Sequence, residues 1–153
     1  MATEQDVLRV ARENIDAFSS GDRDRFRATL AADAVYDELA TGRRVQGADK
    51  VTEVSFSWRQ AFPDARGTIT NALASGETAV LEILWEGTQT GALATPGGEL
   101  PASGRRVRIP AVQVIRVSGG KLQEGRHYFD MLGMLQQLGA VPGPSQASAG
   151  TSR

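Results

Sequence analysis

Cysteine is absent from the chain, and histidine occurs once, at His127. No disulfide, zinc thiolate or thiol nucleophile can form, and a His-rich metal site is excluded as well. An excess of charge of one sign is also missing. The 17 Lys and Arg face 18 Asp and Glu, for a net charge of -1 at pH 7. That balance offers no electrostatic case for nucleic acid or for an anionic membrane surface. No apolar run reaches transmembrane length, and the opening Met-Ala-Thr-Glu-Gln-Asp is acidic where a signal would be basic and then apolar. These features read as a cytoplasmic protein. A Gly-x-Ser-x-Gly nucleophile elbow, a dinucleotide glycine fingerprint and a phosphate loop are all lacking. Any chemistry therefore falls to carboxylates, hydroxyls, amides or Arg.

What is there is ordinary in bulk and informative in pattern. A chain of 153 residues, 41% hydrophobic and 23% charged, is long enough to bury a real core as one domain. That domain is expected to span residues 1–139. The stretch 140–153, rich in Gly, Pro, Ala and Ser, is expected to be a disordered tail.

Thr3-Glu-Gln-Asp6 fits a capping box, and Val7, Ala11, Ile15 and Phe18 recur behind it at helical spacing. Ser19-Ser-Gly21 stops this helix, and Asp22 caps a shorter one carrying Phe26 and Leu30. A strand over 33–40 would place Val35 and Leu39 on one face. Tyr36 and Asp37 alternate on it, so at most one of them faces inward. A turn at 41–44 leads to a third helix from Gly47, with a stripe of Val51, Val54, Trp58 and Phe62 ended by Pro63. Period-two alternation then predicts strands over 68–73, 78–90 and 106–117 and a last one running up to Asp130. Residues 91–104, rich in Gly, Pro, Ala and Ser, read as a loop over an opening. Helices first and antiparallel strands afterwards make an α+β pattern. One curved sheet wrapped around the helices would enclose an apolar, cone-shaped cavity suited to a small molecule.

Candidate site residues are the polar groups that interrupt apolar faces. In the strand over 106–117 the inward positions are apolar except Gln113, a buried amide that needs a partner or a ligand. On the last strand Arg126, Tyr128 and Asp130 are spaced two apart and would share a face; His127 falls on the other, as a structural or interfacial residue. Asp130 also precedes a helical run containing Leu132 and Leu135. It is either an acid facing the cavity or a helix N-cap. Trp58 and Trp85 would supply aromatic walls, Tyr36 a phenol and Gln89 a contact on the rim.

The element order, together with Ala61-Phe-Pro-Asp64, Trp85-Glu-Gly-Thr-Gln-Thr-Gly91, Pro101-Ala-Ser-Gly-Arg105, Gly120-Lys-Leu-Gln-Glu124 and Asp130-Met-Leu-Gly-Met-Leu-Gln-Gln-Leu-Gly139, resembles the SnoaL-like polyketide cyclases. These belong to the NTF2-like, ketosteroid-isomerase-like group of α+β cone folds. The resemblance implies an intramolecular aldol ring closure on a hydrophobic polyketide-type substrate in secondary metabolism, without metal or cofactor. It implies Asp130 as the acid/base, with Gln113, Tyr128, Arg126, Trp85, Trp58, Tyr36 and Gln89 around the substrate. It also implies a homodimer formed through the outer sheet face, where Arg106, Arg108, Arg116 and His127 would lie. Two alternatives stand beside it. One is a non-catalytic carrier using the same cone. The other is an epoxide hydrolase or hydroxylation-assisting enzyme, which would need Asp37 or Glu124 to reach Asp130.

Overall fold

The computed structural model describes residues 3–143; most of the stretch read as a tail lies outside them. Helix α1 (Glu4–Ser19) opens on the expected capping box. The Asp6 N–H donates to the Thr3 hydroxyl at 3.1 Å, and the Thr3 N–H donates to the Asp6 carboxylate at 3.0 Å. Gly21, at φ 71°, turns the chain into α2 (Arg23–Ala28), which Asp22 caps through the Arg25 N–H. Leu30, expected on the α2 stripe, instead begins strand β1 (Leu30–Glu38), because the helix stops at Ala28. The expected turn at 41–44 leads directly into a short strand, β2 (Arg43–Gln46), paired back onto β1. Helix α3 (Ala48–Ala61) follows and buries Val51, Thr52, Ser55 and Phe56.

Strands β3 (Arg66–Ser75) and β4 (Thr78–Thr88) form the expected hairpin. The stretch read as a loop carries a two-stranded hairpin of its own, β5 (Leu93–Thr95) and β6 (Gly98–Leu100). Strands β7 (Arg106–Ser118) and β8 (Lys121–Phe129) then lead into α4 (Met131–Gln137).

The main sheet has six strands in the order β2-β1-β8-β7-β4-β3. Every pairing in it is antiparallel except β1 with β8, which is parallel. The sheet curves around the N-terminal helices as an α+β cone. Ile15 from α1 is packed with Leu81, Ile83, Ile115 and Val117 from the sheet in a single core, and each is nearly inaccessible to solvent. Among the described residues no helix is long and apolar enough to cross a membrane.

Strand β8 contains the feature that decides what faces inward. Val117 pairs with Leu122, and Arg116 with Glu124, so Gln123 is an extra residue on one side of the ladder. Such a bulge reverses the alternation downstream of it. Leu122 is buried in the core; beyond the bulge, Gly125 and His127 take the inward positions, while Tyr128 is exposed on the outer face. Unbroken alternation from Leu122 had placed Arg126, Tyr128 and Asp130 inside and His127 outside. The structure reverses both assignments.

Helix α4 closes one end of the cone by burying Met134, with Leu138 just beyond it. Where β8 ends, the Gln137 amide takes over as partner of β7. Its Nε2 donates to the Arg108 carbonyl at 3.0 Å, and its Oε1 accepts from the Arg108 N–H at 2.6 Å. Asp130 caps this helix, its carboxylate accepting from the Gly133 N–H at 2.8 Å. Replacing Asp130 by Ala is therefore expected to lower stability by about 0.5–2 kcal/mol. Urea unfolding measures this, and an unchanged midpoint would contradict the capping role.

Candidate functional site

The inner face of the sheet, α1 and α3 together enclose a cavity with a free volume of about 100 Å³. Its wall is largely a continuous run of rings. Phe18 meets Trp85 edge-on with centroids 5.3 Å apart, Trp85 lies 6.0 Å from His127, His127 5.1 Å from Phe129, and Phe129 5.7 Å from Trp58. Trp85 can lie flat because its partner across β3 is Gly67; a Cβ there would come within 2.6 Å of the indole. A side chain at that position would displace the ring from the wall.

A polar array interrupts this surface, and strand register explains it. Glu38 on β1 stands opposite His127 on β8, which stands opposite Gln113 on β7, so the three lie in one row across the inner face. Tyr36, two residues before Glu38, faces inward beside them. The Tyr36 hydroxyl lies 2.9 Å from His127 Nδ1 and donates to Glu38 Oε2 at 3.0 Å. The Trp85 indole N–H donates to His127 Nε2 at 3.1 Å, and the Trp58 indole N–H to Glu38 Oε2 at 2.8 Å. Arg43 and the Thr41 hydroxyl hold the other carboxylate oxygen, with Arg43 at 2.8 Å.

An indole N–H only donates, so Nε2 of His127 must be the accepting nitrogen. The neutral ring then carries its proton on Nδ1 and gives it to the Tyr36 oxygen, while Tyr36 gives its own to Glu38. The result is a hydrogen-bond chain with one direction, running from Trp85 through His127 and Tyr36 to a buried carboxylate.

Electrostatics agree with this assignment. Burial pushes His127 down to about 4, against a smaller upward pull from Glu38. Burial also raises the Glu38 carboxyl, but hydrogen bonds from Thr41 and Trp58 and the Arg43 charge outweigh it, leaving the group below its ordinary value. The Tyr36 hydroxyl is raised well above its ordinary value, first by burial and then by the neighbouring Glu38 charge. The resting array is thus a neutral imidazole, a neutral phenol and an ionised carboxylate.

The sign of the resulting pH dependence follows directly. Between pH 6.5 and about 4 the unfolded chain binds a proton at His127 that the folded chain does not. Stability is fully present above that window and falls as pH drops through it, by about 3 kcal/mol at 1.36 kcal/mol per pH unit. Below it, protonation of Glu38 continues the loss. Urea unfolding across this range is expected to show a much flatter profile for His127→Gln. An identical slope in the variant would overturn the assignment.

The structure brings four of the sequence-selected residues to the cavity: Tyr36, Trp58, Trp85 and Gln113. It places the others elsewhere. Asp130 is exposed and caps α4. It borders a shallow groove on the outer side, together with Tyr128, which is 40% exposed. Arg126 faces outward and meets Glu124 at 3.4 Å. Gln89 is buried, but its amide is spent on backbone: it donates to the Leu100 and Pro101 carbonyls and accepts from the Ser103 N–H. It holds the hairpin segment in place and does not form a rim. Asp37 pairs with Arg44 at the surface, so neither Asp37 nor Glu124 forms a carboxylate pair with Asp130. His127 is not on the outer face with Arg106, Arg108 and Arg116.

Sequence reasoning missed Glu38 and the inward placement of His127. The signal for Glu38 was its spacing of two from Tyr36. For His127 the signal was the ladder itself, since Gln113 and His127 are directly paired and must share a face.

Comparison with known proteins agrees with this architecture. The sequence pattern of the SnoaL-like polyketide cyclases matches residues 8–138. A search of curated proteins finds no match. Among solved structures, a candidate SnoaL-like polyketide cyclase from Jannaschia sp. CCS1 superposes with a TM-score of 0.80 at 21% identity, covering 93% of this chain and 97% of that one. AclR of Streptomyces galilaeus, described as a candidate hydroxylase, gives 0.80 at 22% identity over 97% and 92%. IdmH of Streptomyces antibioticus, described as a candidate polyketide cyclase, gives 0.73 at 24% over 87% and 98%. At these identities the structures speak for the fold, and the sequence match, which spans most of the chain, speaks for the family. The chain belongs to the SnoaL-like polyketide cyclase family.

Proposed function

We propose that the cone binds a hydrophobic, polyketide-like molecule and closes a ring on it by intramolecular aldol addition, with His127 as the proton-transfer group. The observation that carries this reading is the directed chain from Trp85 through His127 and Tyr36 to Glu38. It leaves a neutral imidazole in an apolar chamber with an ionised carboxylate behind it to stabilise any positive charge it acquires.

The chemistry asks little more. A C–H between two carbonyls gives its proton to Nε2, once the Trp85 N–H has turned from that nitrogen to a substrate oxygen. The enolate carbon attacks the second carbonyl carbon and forms the C–C bond. The alkoxide then takes the proton back from His127 to give a hydroxy ketone. A carbon acid flanked by two carbonyls is acidic enough for a weak base, and the aromatic walls hold the two ends in attack geometry. The acid/base role expected for Asp130 passes, in this reading, to His127. Dimerisation through the outer sheet face, bearing Arg106, Arg108 and Arg116, belongs to the same proposal.

A carrier reading has one observation in its favour: both ring nitrogens of His127 are already hydrogen-bonded in the resting protein. Turnover of a 1,3-dicarbonyl polyketide substrate separates the two. His127→Gln is expected to lower kcat/KM by about 10²–10⁴-fold, the usual contribution of an acid/base group, while Asp130→Asn stays within about tenfold of wild type. The reverse pattern would return the role to Asp130. Binding without turnover in the wild type would leave the carrier.

A further inference from the structure

Glycine weakens a paired strand and is at home there only where another group comes too close for a side chain. Gly67 on β3 is such a case. Its φ is not positive, so backbone conformation does not call for glycine. Space does. A Cβ would lie 2.6 Å from Trp85 Cζ3 and 2.9 Å from both Cε3 and Cη2, well inside the contact distance between carbons. The indole thus occupies the volume of the missing side chain. The slot that holds it has fixed sides. The Gly67 N–H donates to the Ser19 hydroxyl at 3.0 Å, which ties β3 to the end of α1, and the adjacent Phe18 meets the indole edge-on. A ring expelled from this slot has the cavity to move into.

We propose that Gly67, which does not itself line the cavity, is a positioning residue for His127: its empty Cβ site seats the indole of Trp85 so that the N–H reaches Nε2. An indole N–H points along the plane of its ring, so a tilt or shift of the ring carries the donor off its acceptor. While the N–H is in place it occupies the lone pair that an incoming proton would take. The imidazole therefore stays neutral, with its own proton on Nδ1 toward Tyr36. A donor that faces only the neutral form favours that form, and its loss raises the pKa from about 4. The other titratable or charged groups of the array are Tyr36 and Glu38 on β1, with Arg43 of β2 behind Glu38. A methyl group at position 67 changes none of these charges, so a moved titration reports the moved ring. The kinetic consequence rests on His127 as the proton-transfer group, whereas the hydrogen bond can be read in the free protein.

The test is proton NMR of the free protein, followed by turnover. The single histidine gives one imidazole signal to titrate, and Trp58, whose N–H is held by Glu38, serves as internal reference for the indole N–H of Trp85. Gly67→Ala is expected to shift the Trp85 indole N–H and leave that of Trp58 in place. It is also expected to raise the His127 midpoint by about one pH unit, as for the loss of one hydrogen bond. Trp85→Leu, which removes the three ring carbons over Gly67, should raise the midpoint alike, and adding Gly67→Ala to it should change nothing further. On a 1,3-dicarbonyl substrate Gly67→Ala is expected to lower kcat by about 10²-fold, the scale of one lost donor at a developing oxyanion. A Gly67→Ala protein with both signals unmoved would overturn the proposal, as would an equal effect of Gly67→Ala with and without Trp85. Should Gly67→Ala fail to fold, the double variant is expected to fold; its failure too would show that the indole is not what position 67 must avoid. A moved His127 midpoint with kcat unchanged would remove the positioning role from the reaction. Absence of turnover in the wild type, with both NMR shifts seen, would instead remove the cyclase reading and leave the placement of the ring by Gly67 standing.

Discussion

The interior is arranged around a carboxylate that has to be kept charged where water does not reach. Glu38 has no exposed surface, and taking an unpaired carboxylate out of water costs several kcal/mol or more. The fold surrounds it with donors drawn from separate elements: Tyr36 on β1, Thr41 in the turn, Arg43 on β2 and Trp58 on α3. Each of these fixes something else in turn. Trp58 becomes a rigid wall, Arg43 lies 5.8 Å over its ring, and the Tyr36 hydroxyl is aimed at His127. The short strand β2, which has no fully buried residue, matters because it brings the guanidinium to that oxygen.

The division of labour between the two ends of β8 follows from the same economy of polar groups. Inside, His127 is satisfied through both nitrogens and held neutral. At the strand's exit Asp130 stabilises the start of α4, and Gly133 is suited to that helix because a Cβ there would run into the Asp130 carboxylate. The two ionisable residues are three positions apart and perform unrelated tasks, one in an apolar chamber and one in solvent.

Much of the architecture was legible in the sequence because its signals are local. The Thr3–Asp6 capping box, the Pro63 stop and the alternation over β4 and β7 each act within a few residues. What escaped depended on partners distant in the chain. Leu122 anchored the reading of β8 to the core and was itself correctly placed, but the extra residue at Gln123 reversed everything after it, and only the pairing with β7 reveals that. On β1, hydrophobicity singled out Val35 and Leu39 as one face, yet Leu39 is 47% exposed, and the other side carries Tyr36 at the cavity with Glu38 buried beside it. Hydrophobic patterning misleads where a cavity is lined with polar groups that satisfy one another. Gln89 misled for a related reason, since a buried amide that binds loop backbone reads like one that waits for a guest.

The single surplus residue in β8 has a bearing on inheritance. Because the chamber's chemical equipment hangs on whether one amino acid is looped out of the ladder, an insertion or loss there would exchange an imidazole for a guanidinium or a phenol without touching the closing motif at residues 130–139. Two descendants of one ancestor could then share that signature letter for letter and still present their guests with different reagents. Which reagents they present is written in how the neighbouring strands are matched, and each lineage has to be compared at that level.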